Sequence, residues 1–168
     1  LSSPLALAAE PTLIVLLAID QLRPERITSK LPGGLGRLVR EGLVFTDATL
    51  DHGLTSTCPG HVVMSTGVNP GRAGVPGNSF IDHGTLEERY CVDDPSDENV
   101  VLGATYNRSP NNILVSSLGE WMKAANNQSR VFSVSGKDRA AIAMAGKQAD
   151  GVYWFDHDNN RFTTSGYY

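Results

Sequence analysis

Seven consecutive apolar residues, Leu13-Ile-Val-Leu-Leu-Ala-Ile19, end abruptly at Asp20. No polar position breaks the run, so neither face is patterned for water, and the segment reads as a strand covered on both sides in a parallel sheet. It is too short for the roughly 17–25 residues of a membrane-spanning helix. Parallel strands need long crossovers, usually helical, and the sequence offers them. Gly33 to Glu41 carries Leu35, Leu38 and Val39 at helical spacing, and Gly42 stops it. Leu43-Val-Phe-Thr46 reads as a second strand, and Thr57 to Thr66 as a helix with Thr57 as its N-cap, Pro59 in its first turn and Gly67 beyond its end. After a Gly-, Pro- and Asn-rich stretch from Val68 to Asn112, Ser109-Pro110 opens an amphipathic helix with Ile113, Leu114, Leu118, Trp121, Met122 and Ala125 on one stripe. Arg130–Val134 predicts a strand, Ala140–Ala145 a helix, and Gly151–Phe155 with Arg161–Thr164 a hairpin. Strands alternating with helices place the chain in the α/β class, as a three-layer sandwich with a largely parallel central sheet, incomplete as it stands.

Composition removes several functions. Of 168 residues, 40% are apolar and 19% charged, with a net charge of −4, the balance of a folded globule and not of a disordered chain. The 14 basic residues are scattered, which leaves no electrostatic footprint for nucleic acid and no such partner. Residues 1–9 read as the remnant of a secretory signal peptide, Ala6-Leu7-Ala8 being a small-x-small cleavage pattern, and 10–168 as the N-terminal part of one catalytic domain. That makes the expected location periplasmic or secreted. The two cysteines, Cys58 and Cys91, lie in no zinc-ligand spacing. One bridge between them is compatible with an oxidising compartment, and the sequence leaves the pairing open.

Ligands of open α/β sheets collect beyond the carboxyl ends of strands, where Asp20, Thr57 and the Lys137-Asp138-Arg139 triplet all fall. Asp20 is a hard oxygen donor for a divalent metal. The Thr57 hydroxyl would sit at the positive end of a helix, beside N–H groups that suit phosphate oxygens. Asn78 is a neutral side-chain donor. Lys137 and Arg139, in an extended loop, would present two cations on one side and Asp138 on the other, an arrangement suited to a phosphoryl group. His61, one turn beyond Thr57, reads as a support of the helix. Asp156-His-Asp-Asn-Asn160 superficially matches a calcium loop, but Arg161 stands where that loop needs Gly, and it reads as a hairpin turn.

Ile19-Asp20-Gln-Leu-Arg23, Thr57-Cys-Pro-Gly-His61, Gly77-Asn78 and Lys137-Asp-Arg139, in that order, resemble the alkaline phosphatase superfamily, in its branch of bacterial phosphate-irrepressible enzymes with a threonine nucleophile, related to type I phosphodiesterases and nucleotide pyrophosphatases. The segments Arg89-Tyr-Cys-Val-Asp93 and Tyr153-Trp-Phe155 extend the likeness. The resemblance implies hydrolysis of small phosphate monoesters through a phosphothreonine intermediate. In this scheme Thr57 is the nucleophile, Asn78, Lys137 and Arg139 bind the non-bridging oxygens, and two zinc ions are served by Asp20 and Thr57, with further Asp and His ligands expected beyond residue 168. The 168-residue piece alone is then expected to be inactive. Gly60 stands where diesterase relatives typically carry Asn, which favours a monoesterase. Two alternatives are a phosphodiesterase or nucleotide pyrophosphatase on the same scaffold, and a non-catalytic exported binding domain in which Thr57 merely caps its helix.

Overall fold

The structure, a computed structural model, describes residues 12–168; the signal-peptide reading of 1–9 lies outside them. The chain divides into two compact units, the first ending at Thr46 and the second running from Asp47 to Tyr168.

In the first unit, helix α1 occupies Gly33–Glu41, as the spacing predicts, with Gly42 closing it. Gly36 is required there because a Cβ would fall 1.7 Å from the Leu31 carbonyl oxygen. Arg40 Nη1 donates to the carbonyls of Ser29 (2.9 Å) and Leu31 (3.3 Å), tying the helix to the preceding turn. A pocket of about 330 Å³, lined by Leu22, Ile27, Leu35, Val39 and Phe45 among others, is apolar almost throughout. The expected strands are absent here. Leu13–Ile19 joins no ladder, and its large side chains are 44–76% exposed. Leu43–Thr46 is likewise unpaired, with Leu43 81% exposed. A strand patterned for burial on both faces needs neighbours on its edges and layers over its faces, and the described residues provide neither. Asp20 consequently sits in a turn, before Gln21 at φ 62°, and not at the end of a strand.

The second unit carries the core. Helix α2 spans Thr57–Thr66 and ends at Gly67, whose φ of 69° is the left-handed closure anticipated. The stretch read as one long loop contains a small antiparallel hairpin, β1 (Ser79–Ile81) with β2 (Glu88–Tyr90). Helix α3 is shorter than the amphipathic stripe suggests, Leu118–Ala125. Its start is fixed by a capping box: Glu120 N–H donates to Ser117 Oγ (3.3 Å), and Ser117 N–H donates to Glu120 Oε2 (2.7 Å). Ser109 opens no helix, because its hydroxyl is fully buried and donates to Asp94. The same carboxylate accepts from Ser96 N–H, Asn99 and Asn111. Burial pushes the Asp94 carboxyl up, but these donors together outweigh it and hold it below the usual range.

Strand β3 (Phe132–Ser135) pairs in parallel with β4 (Gly151–Asp156), which pairs antiparallel with β5 (Arg161–Thr163). The β4–β5 connection is the hairpin turn expected: Asp156 accepts from the backbone of Asp158 and Asn159 and from the Asn159 side chain, so its oxygens serve the turn. Helix α4 begins at Asp138, two residues earlier than the alanine run indicates, and ends at Ala145. Gly146 follows at φ 74°, where a Cβ would lie 2.3 Å from Ser117 Oγ; its smallness lets α4 close against the α3 cap. Val62 of α2, Ala141, Ile142 and Ala145 of α4, and Val152 and Trp154 of β4 make one core with Val75, Val92 and Ile113.

Asp150 anchors α3 to the sheet. It accepts from Lys123 Nζ (2.7 Å), Val131 N–H (2.7 Å) and Arg130 Nη1 (2.8 Å). The Lys123 contact above all, then the Val131 and Arg130 donors, hold its carboxyl well below the ordinary carboxylate range. A depressed pKa contributes stability above the unfolded value of about 3.9 that is lost as pH falls below it. Asp150→Asn is therefore expected to lower the thermal midpoint at neutral pH, with the gap to the parent closing as pH falls below about 4; melting curves across pH 2–7 check it.

Candidate active site

Thr57 is the first residue inside α2, not its cap; Ser56 takes the cap position with extended backbone at ψ 170° and no capping hydrogen bond from its side chain. The threonine hydroxyl is thus carried on the helix itself, within the turn where unpaired N–H groups gather. His61, one turn on, is 5% exposed, and its Nδ1 lies 2.7 Å from the Thr57 carbonyl oxygen. A carbonyl only accepts, so Nδ1 carries the proton. The imidazole therefore braces the backbone of the first turn, the support role the sequence suggested.

Asn78 meets this end of the helix. Its Oδ1 accepts from Cys58 N–H (2.8 Å), taking the capping role that Ser56 leaves open. Its own carbonyl accepts from Cys91 N–H (2.9 Å). Cys58 and Cys91 are joined in a disulfide with Cα atoms 6.6 Å apart, settling a pairing that the sequence left open. Three segments far apart in sequence are fastened at the N-terminus of α2.

The second group lies at the N-terminus of α4. Lys137 is exposed at its N-cap, and Arg139 is already helical. The two-residue period of an extended loop therefore does not apply to them. Asp138, at the first helical position, turns inward and accepts from Tyr90 Oη (2.7 Å), Arg108 Nε (2.8 Å) and Arg139 N–H (2.7 Å). Arg139 Nη1 donates to the same phenol oxygen at 2.9 Å. Arg108 bridges Asp138 and Asp93 while its guanidinium lies over the rings of Tyr90 (4.8 Å) and Tyr106 (4.4 Å). Burial first, and then the Asp138 charge, push the Tyr90 phenol up to about 12; burial raises Tyr106 as well.

Both groups share one end of the unit. Helices α2 and α4 pack together, and near their far ends Ser65 Oγ donates to the Ala143 carbonyl at 2.7 Å. Near their first turns the disulfide ties Cys58 to Cys91, whose neighbour Tyr90 bonds Asp138 and Arg139. Linked in the same sense at both ends, the helices run in the same direction, and their positive poles point the same way. Thr57, Asn78 and Arg139 belong to this end, with Lys137 one residue before α4. Asp20 belongs to the first unit. Among the described residues no group of three or more His, Cys, Asp or Glu side chains gathers to hold a metal ion.

Residue-type reasoning passed over Tyr90 and Arg108, each unremarkable in its own segment. Tyr90-Cys91, an aromatic beside a cysteine, was the available signal, and it acquires meaning only once Cys91 is known to meet Cys58.

The family model for type I phosphodiesterase / nucleotide pyrophosphatase matches residues 14–165. Alkaline phosphatase PhoK of a Sphingomonas species is 41% identical over 153 residues, which cover 88% of this chain and 27% of that protein. A crystal structure of wild-type alkaline phosphatase PafA superposes with a TM-score of 0.76 at 33% identity, over 81% of this chain and 27% of the other. A PafA variant with a threonine, an asparagine, a lysine and an arginine replaced superposes at 0.63 and 31% identity, over 68% and 23%. The chain therefore spans about a quarter of the length of these relatives.

The closing of a 33-residue separation by Cys58–Cys91 gives a stability expectation. Replacing both cysteines by serine should cost about 2–4 kcal/mol, read as a lower denaturation midpoint, with dithiothreitol treatment of the parent lowering it in the same direction.

Proposed function

Because the chain belongs to the type I phosphodiesterase / nucleotide pyrophosphatase family, we propose that the whole protein is a metal-dependent phosphatase that hydrolyses phosphate monoesters through a phosphothreonine intermediate. What supports this reading is that Asn78 caps the first turn of α2 beside Thr57, while Tyr90, the neighbour of Cys91 in the bridge to Cys58, holds Arg139 in the first turn of α4. The spacings of the replaced residues in the PafA variant add support: its threonine and asparagine lie 21 positions apart and its lysine and arginine are separated by one residue, as are Thr57 and Asn78, and Lys137 and Arg139, here.

Thr57 Oγ forms the new bond to phosphorus as the ester P–O bond breaks, and the alcohol leaves with the proton that the threonine gives up. Water then attacks the phosphothreonine, releasing phosphate and restoring the hydroxyl. Asn78, with Oδ1 committed to Cys58 N–H, turns its NH₂ donors to a phosphoryl oxygen. Arg139 and Lys137 meet the remaining non-bridging oxygens, the first as a planar fork and the second as a point charge. Two such cations suit the extra charge of a monoester. The family model's own description names a phosphodiesterase, and that remains the second reading.

Zinc is the proposed metal, with two ions served in part by Asp20 and Thr57. Two oxygen donors fall short of the four ligands that each zinc usually takes, so the residues present do not by themselves fit a two-zinc centre. An exported, oxidising location is proposed as well, supported by the Cys58–Cys91 bridge. No described helix is long and apolar enough to cross a membrane.

Turnover of an aryl phosphate and of its methyl diester by the full-length protein tests the assignment. The monoester is expected to be the better substrate, and Thr57→Ala to lose about a thousandfold or more in kcat/KM. Undiminished turnover by Thr57→Ala removes the threonine nucleophile, and a strong preference for the diester moves the protein to the second reading.

A further inference from the structure

Arg139 is held from one side. Its Nη1 donates to Tyr90 Oη at 2.9 Å, while its Nε is buried with no hydrogen-bond partner among the described residues. A buried guanidinium N–H left unpaired is costly unless something else meets it. With Nη1 engaged, the donor edge that remains is the one formed by Nε–H and Nη2–H, the side-on fork that grips two oxygens of one phosphoryl group. The edge that could meet a substrate is thus selected by the phenol.

Tyr90 is in turn fixed in three ways. Its hydroxyl donates to Asp138 Oδ1 at 2.7 Å, so the lone pairs face Arg139. The Arg108 guanidinium lies over its ring at 4.8 Å while bonding the other oxygen of Asp138 at 2.8 Å. Its chain neighbour Cys91 is bridged to Cys58, the residue after Thr57. Arg108 and Asp138 are only 17% and 16% exposed as side chains, so water competes little for these bonds. A phenol pushed up to about 12 keeps its proton through the alkaline range and goes on donating to Asp138.

We propose that Tyr90 is a positioning residue, which orients Arg139 so that the Nε/Nη2 edge faces the phosphoryl group while the Cys58–Cys91 bridge keeps that edge in register with Thr57. The proposal rests on the reading of Arg139 as a phosphoryl ligand and adds the device that aims it. Tyr90 itself touches no substrate, and the effect of removing its hydroxyl must pass through Arg139.

A double-mutant cycle in the full-length protein reads that dependence. Tyr90→Phe keeps the ring on which Arg108 stacks. It is expected to lower kcat/KM for an aryl phosphate, and to weaken inhibition by inorganic phosphate, by about tenfold in the parent. In an Arg139→Ala background the same substitution should change either quantity less than about twofold. Equal losses in both backgrounds would mean that Tyr90 merely braces the fold, and no loss in the parent would mean that Arg139 needs no aiming; each overturns the proposal. Should Tyr90→Phe melt early, Asp138→Asn, which keeps the side chain's size and removes its charge, goes through the same cycle with the same expectation. Full activity of Arg139→Ala alone would instead overturn the reading of Arg139 and the positioning role with it.

Discussion

A single covalent link, Cys58–Cys91, decides which parts of the second unit can act together. It joins the first turn of α2 to the residue that follows β2, and both flanks of the bond are functional candidates. On one flank is Thr57; on the other is Tyr90, with its bonds to Asp138 and Arg139. Asn78 locks the same junction by accepting from Cys58 N–H while its carbonyl accepts from Cys91 N–H. Backbone, side chain and disulfide all converge there, so the separation of α2 and α4 at this end is set by bonds and not by packing alone. At the other end a single hydroxyl–carbonyl bond, Ser65 to Ala143, with the small residues of α4, closes the pair.

Local chemistry was legible wherever one residue type has one job. Gly42 and Gly67 ended helices as expected, and the turn after Asp156 formed from its own side chains. The structure departs from the periodic pattern where a short-range hydrogen-bond competitor wins. Ser109 would have capped a helix, yet Asp94 captured its hydroxyl, and the cap moved to Ser117, whose partner Glu120 stands three residues on. Asp138 extended α4 backwards because a carboxylate in the first turn is favourable and Arg139 N–H could bond it. The network around Tyr90 was unreadable in advance for another reason: its members come from positions 90, 93, 106, 108, 138 and 139, and only the fold puts them in contact.

The apolar run 13–19 teaches the opposite lesson. Its pattern specifies burial on two faces, but burial is a property of neighbours, and the described residues leave these side chains exposed. Within the second unit, Phe132 and Val134 on β3 are each 65% exposed, the same gap between an apolar pattern and burial.

Charge closes the argument about the site. Around Tyr90, the cations Arg108 and Arg139 stand beside the carboxylates Asp93 and Asp138, with Lys137 exposed at the start of α4. Arg108 is consumed within the network, which leaves Lys137 and Arg139 at the positive end of α4. A phosphate monoester, the proposed substrate, would bring nearly two negative charges above pH of about 6, which preorganised donors and cations would have to meet. On the proposed reading the aim of Arg139 matters, because the direction in which each of its N–H groups points decides how much of its charge a phosphoryl group would receive.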